Sequence, residues 1–155
     1  MNRYDGYYLS LTAAFAGHLG EFERLIWLDV ERTSPFLSSD QKNILHRVLF
    51  CFVKRNMEIS YCQGMNFIAH YFMLQGFSEE EIFWILCFVL EQSVSLSYYI
   101  NLIPVYVDVE LMVEMMRELH PAFMQHVSQR SLDLNFILVP LMVTLLSNIK
   151  NRQAS

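Results

Sequence analysis

Arg32 follows Asp29 by three residues in the segment Ile26-Trp27-Leu28-Asp29-Val30-Glu31-Arg32-Thr33-Ser34-Pro35. That spacing brings a carboxylate within reach of the guanidinium, where charge-assisted hydrogen bonds can fix its direction. An oriented, exposed Arg can act as a finger that offers fixed positive charge to another molecule. The same residues also suit a surface Arg near a helix C-terminus, steadied by the helix dipole and by Asp29. The second segment is Tyr61-Cys62-Gln63-Gly64-Met65-Asn66. Gly64 permits a close backbone approach, and Gln63 carries both a donor and an acceptor at the tip of a helix, where a water could be held. The plainer alternative is a turn in which Gln63 and Asn66 cap the helix that follows.

Other chemistries lack a pattern. Cys62 could be paired on paper with His46 or His70, but no third group orients them. His18, His46, His70, His120 and His126 show no metal-ligand spacing, and no metal site is expected. There is no GxGxxG, GxxxxGK[ST] or GxSxG, so neither nucleotide cradling nor serine hydrolysis has a signature. The net charge of −5, with no basic cluster beyond Lys54-Arg55, argues against nucleic acid as a partner. Cys51, Cys62 and Cys87 are odd in number and sit among apolar residues, as free thiols do in a reducing compartment, so the cytoplasm is the expected location.

The elements that must position these residues read as helices. Hydrophobic residues make up 54% and charged residues 17% of the 155, which excludes disorder, and with Gly 5 and Pro 4 there are few turn formers for a many-stranded sheet. The expectation is an all-α fold of one domain, with no β-sheet. A first stripe of Tyr7, Tyr8, Leu11, Ala14, Phe15 and His18 ends at Gly17 and Gly20, and a short helix from Glu21 to about Leu28 follows. Pro35 breaks the pattern and biases Ser34 toward extended backbone, which leaves Arg32 at a helix end or on a loop. Ser38 and Gln41 have capping-box spacing ahead of Ile44, Leu45, Val48, Leu49, Phe52 and Val53. Helices are also expected from about Met65 to Leu74, stopped by Gly76, and from a second capping box at Ser78 and Glu81 through Ile82 to Leu90, a helix apolar on every side and therefore central. Further helices run from about Asp108 to Leu119, from Ala122 to about Gln129, and from about Leu132 to Asn148 with a kink at Pro140. Met112, Met115 and Met116 are expected to fill core space. The apolar runs Ile82 to Leu90 and Phe136 to Leu146 fall short of the roughly 20 residues of a membrane span.

Taken together, the two segments resemble the TBC domain of Rab GTPase-activating proteins, whose hallmarks are Ile-x-x-Asp-x-x-Arg and Tyr-x-Gln-Gly. Both stand intact here as Ile26, Asp29, Arg32 and as Tyr61, Gln63, Gly64. Arg-Thr-x-Pro after the first, Gly-Met-Asn-Phe-Ile-Ala after the second, and His120-Pro121-Ala122-Phe123-Met124-Gln125-His126 further on are also similar. The likeness runs from about Tyr4. Where related domains show a Trp-containing helix this chain has Phe136-Ile137-Leu138-Val139-Pro140-Leu141, and the family's final helices are expected to be absent after the polar tail Lys150 to Ser155.

The resemblance implies an activator of a Rab-family small GTPase in its GTP-bound form, a regulator of vesicle traffic that supplies two fingers in trans. Arg32 would reach the phosphates and Gln63 would position the attacking water. Asp29 would hold Arg32, Tyr61 and Gly64 would shape the turn presenting Gln63, and Thr33 and Asn66 would support the two segments. It implies no cofactor of the chain's own, since GTP and Mg would be carried by the partner, and no transmembrane segment, with any membrane association indirect through the GTPase. Two rival readings remain: a catalytically inactive Rab-binding or scaffold module of the same helical fold, and a helical dimerisation or membrane-surface module driven by the apolar excess.

Overall fold

In a computed structural model, residues 6–13, 20–59, 61–94 and 97–147 are described. Among them are nine α-helices and no strand: α1 Tyr7–Ala13, α2 Glu21–Thr33, α3 Ser39–Arg55, α4 Met65–Leu74, α5 Glu79–Cys87, α6 Ser97–Ile100, α7 Ile103–Leu119, α8 Pro121–Gln129 and α9 Asn135–Val143. Ala14, Phe15, Gly17 and His18 of the first apolar stripe lie outside the described residues, as do Asn148 and the tail from Lys150 to Ser155.

Helix α3 is the pillar. Ser38 accepts from the Gln41 amide at 3.2 Å while its own amide donates to the Gln41 side chain at 2.9 Å, which satisfies two N-terminal donors reciprocally. At the other end the Asn56 amide closes on the carbonyls of Phe52 and Val53. Leu45, His46, Val48, Leu49, Phe50, Cys51, Phe52 and Val53 are all buried, so this helix is enclosed on most of its circumference rather than along one stripe. Helices α1, α2, α4 and α5 pack against it. A second group forms around α7, which α6, α8 and α9 contact, and buried residues of both groups belong to one continuous core.

Several expectations shift in the structure. Helix α2 continues five residues past Leu28 to Thr33, because Ser34, extended at φ −156° and ψ 137° ahead of Pro35, is the first residue unable to follow. Helix α5 packs on both α3 and α4, but the helix expected to reach Leu90 changes pitch after Cys87. Phe88–Ser93 form a π-helical turn, in which Phe88 faces solvent. Helix α7 starts at Ile103, with Pro104 in its first turn, and α9 is shorter than expected at both ends, with Pro140 inside it. The methionines of α7 are not core: Met112 and Met116 are half-buried and Met115 is exposed.

Candidate functional site

Asp29 lies on the inward face of α2 with 4% of its surface exposed, between Ile26 and Val30, which are wholly buried. A buried carboxylate must be satisfied, and Asp29 is satisfied from two directions. Its Oδ1 forms an ion pair with Arg32 Nη2 one turn further along. Its Oδ2 accepts from the Tyr61 hydroxyl at 2.8 Å, across 32 positions of sequence. One carboxylate thus fixes the guanidinium that ends α2 and the residue that opens the loop carrying Gln63. The Arg32 side chain remains 56% exposed, so its charge is oriented from beneath and presented outward.

A second set of bonds joins the same two segments. Thr33 Oγ1 donates back to the Asp29 carbonyl at 2.7 Å and accepts from Asn66 Nδ2 at 2.8 Å. Asn66 is fully buried, and its Oδ1 accepts from the Gly64 amide at 3.1 Å. Asn66 therefore does more than cap α4: its two ends clamp the Gly64 turn to the end of α2. Gly64 has φ +118°, a backbone that L side chains rarely adopt, and a Cβ built on it would stand 2.7 Å from Val143 Cγ1. Tyr99 of α6 in turn donates its hydroxyl to the Val143 carbonyl at 3.2 Å. Gln63 lies on this turn, exposed, and lines a cleft of about 750 Å³ with Cys62, Tyr99, Asn101, Val139 and Thr144.

The electrostatics fit a positioning role for the surrounding groups. Burial raises the Tyr61 phenol well above its ordinary range, and the charge of Asp29 and its hydrogen bond add to the rise, so the hydroxyl stays protonated and donates. Cys62 is pushed up to about 11 by burial and then by Asp29, which leaves a neutral thiol rather than a nucleophile. His46, considered as its base, lies in α3 stacked on Trp27 with ring centroids 4.2 Å apart. Among the described residues no three His, Cys, Asp or Glu side chains converge as metal ligands would.

The structure thus brings Asp29, Arg32, Thr33, Tyr61, Gly64 and Asn66 into one bonded assembly, with Gln63 on the turn that it holds. Neither Tyr99 nor Val143 was legible from the sequence, because Val143 meets Gly64 from about eighty positions away, Tyr99 bonds Val143 across 44, and neither belongs to a local motif. The one local signal was Gly64, whose lack of a side chain permits a close backbone approach.

Comparison with known proteins identifies the class to which this helical fold belongs. The family model for the Rab-GTPase-TBC domain matches residues 12–152, and the chain belongs to that family. It is 36% identical to TBC1 domain family member 2A of Bos taurus over 138 residues, which is 81% of this chain and 15% of that protein. It is 33% identical to Growth hormone-regulated TBC protein 1-A of Danio rerio over 129 residues, or 79% of this chain and 36% of that protein. The chain therefore spans well under half the length of either relative. No solved structure matches it. No helix among the described residues is long and apolar enough to cross a membrane.

Proposed function

We propose that the chain activates a Rab-type small GTPase by supplying Arg32 and Gln63 in trans to a GTP-bound partner, and so takes part in the control of vesicle traffic. The observation that carries this reading is the divided Asp29 carboxylate, which ties Arg32 to the loop of Gln63 through Tyr61. A pair of fingers serving one transition state must be held in a fixed relation, and a shared buried anchor supplies that relation before the partner arrives.

The partner brings GTP and Mg. Arg32 offers a planar fork to the charge that develops on the transferring phosphoryl group, and Gln63, with a donor and an acceptor, orients the attacking water. Asp29 stabilises and aims the guanidinium, and Thr33, Asn66 and Gly64 keep the turn closed behind Gln63. An Arg supplied in trans accelerates hydrolysis by about 10³ to 10⁵, equivalent to roughly 4 to 7 kcal/mol of barrier.

Single-turnover GTP hydrolysis across a panel of Rab GTPases tests the reading. The wild-type chain is expected to accelerate at least one member, Arg32→Lys to lose most of that acceleration because Lys lacks the fork, and Gln63→Ala to lose rate as well, with losses that need not add. A folded wild-type chain that binds a member without accelerating it would instead be a Rab-binding module.

A further inference from the structure

Immediately beyond the arginine, the chain exposes a large apolar side chain in an unusual setting. Phe36 has 92% of its surface in water, yet the turn that carries it is anchored. Ser34 is extended, its Oγ accepts from the Phe36 amide at 3.3 Å, the Leu37 amide reaches the Ser34 carbonyl at 3.4 Å, and Leu37 itself is buried. On the other side of Arg32, Leu28 is 53% exposed and Leu25 is partly so. Positions 25, 28 and 32 recur at i, i+3 and i+7, which places both leucines on the same helix face as the arginine. Singly exposed apolar residues are ordinary, but here they bracket the one charge that must meet a partner.

We propose that Leu28 and Phe36 form an apolar docking surface on which the small GTPase itself rests while Arg32 enters its nucleotide site, an inference that depends on the function proposed above. Geometry makes the contact hard to avoid. A stable complex covers about 800 Å² on each partner, a disc of roughly 16 Å radius. Leu28 is one helical turn from Arg32, about 6 Å along the axis, and Phe36 is at most about 14 Å away along the chain. Both side chains therefore lie within the radius that a partner centred on Arg32 covers. Because hydrogen bonds already hold the backbone of the turn, burial of Phe36 orders chiefly its side chain, which lowers the cost of using an aromatic as an affinity anchor.

Charge separates this occupant from the alternatives. A symmetric pairing of two copies whose axis passes near Arg32 would set two exposed guanidinium groups against each other. The face carries Glu21 beside Arg24 and Arg32 rather than a cluster of basic residues, and the net charge of −5 opposes an anionic lipid surface.

The test titrates the activator against a GTPase from the panel that the wild-type chain accelerates, and separates half-saturating concentration from maximal rate. Leu28→Ser and Phe36→Ser, both at exposed positions and checked for folding by circular dichroism, are each expected to raise the half-saturating concentration about tenfold, or ~1.4 kcal/mol, while leaving the maximal rate within about twofold. Arg32→Lys is expected to do the reverse. Unchanged half-saturation in both serine variants would overturn the docking surface while leaving the activator intact. Should no GTPase be accelerated, the proposed function fails by itself, and binding of the GTP-loaded panel then decides the surface: binding weakened in Phe36→Ser upholds it, whereas binding that is equal or absent overturns it. Sedimentation showing a dimer, or flotation on phosphatidylserine vesicles, that Phe36→Ser abolishes would assign the face to another occupant and would also overturn it.

Discussion

Asp29 shows how much one side chain can organise when it is buried. Its two oxygens face different segments, and neither segment contains both halves of the arrangement. The Ile-x-x-Asp-x-x-Arg spacing foretold the Arg32 contact, since residues three apart on a helix are neighbours. The Tyr61 contact could not be read from spacing, because nothing local says which buried acid a distant tyrosine will meet. His46 is the other buried polar residue with a measurable consequence. Burial lowers its pKa to about 4, against opposing charge and backbone effects from Glu23 and with a smaller push from Arg47, so the folded protein keeps it neutral. The unfolded chain takes up that proton near its ordinary 6.5, so stability is full above that value and is lost as pH falls toward 4. Between pH 7 and pH 5 this one group is expected to cost about 2 kcal/mol. Relative to His46→Phe, the wild type should lose stability as the pH is lowered through that window, read from urea midpoints. Parallel pH curves for the two proteins would remove His46 as the cause.

At the scale of elements, boundaries marked by local chemistry were legible, and those set by packing were not. Both capping boxes, the stop at Gly76 and the break at Pro35 each reside in a few adjacent side chains, and the structure places the ends of α3, α4 and α5 accordingly. The π-helical turn at Phe88–Ser93 has no such mark. Its widened turn carries Glu91, whose carboxylate takes two bonds from Arg55, at 2.7 and 3.0 Å, and one from Asn56 at 2.9 Å, all from the end of α3. Those partners lie 35 and 36 positions away, beyond the reach of any periodicity argument. The Gly64 turn combines both situations. Gly64→Ala is expected to cost about 2 kcal/mol or more, from the positive φ and from the methyl pressed on Val143, and to lower the rate acceleration with it. Adding Val143→Ala to that variant removes the clash but keeps the backbone strain, so thermal denaturation should show partial recovery. A Gly64→Ala protein as stable as its parent would rule out the close approach.

For the whole molecule, Glu79 ties together elements that the hydrophobic pattern only places side by side. It receives the Tyr8 hydroxyl of α1 at 2.6 Å and Arg47 Nε and Nη2 of α3 at 2.8 and 2.6 Å while starting α5. Burial raises its carboxyl, but the bonds from Arg47 and Tyr8 outweigh that and hold it below the usual range. The capping-box spacing of Ser78 and Glu81 marks where α5 starts but carries no sign of the bridge that Glu79 makes. Glu79→Ala should leave a buried phenol and a half-buried guanidinium without their acceptor, at roughly 2 kcal/mol and a fall in melting temperature of about 4–8 °C, and Glu79→Gln should recover part of it. A melting temperature unchanged by Glu79→Ala would show that the bridge adds nothing. The all-helical class was legible for the opposite reason: composition, paucity of turn formers and helical spacing are distributed over the chain and survive local error. The contact of Val143 with Gly64 joins the late helices to the early motif, and it exposes the loop of Gln63 to events far away in sequence. A splice junction ahead of Val143, or a protease nick between α8 and α9 that lets α9 come away, would remove the wall behind Gln63 without altering either motif. Loss of function by damage of that kind would be invisible to an inspection of the two motifs, both of which would still be intact.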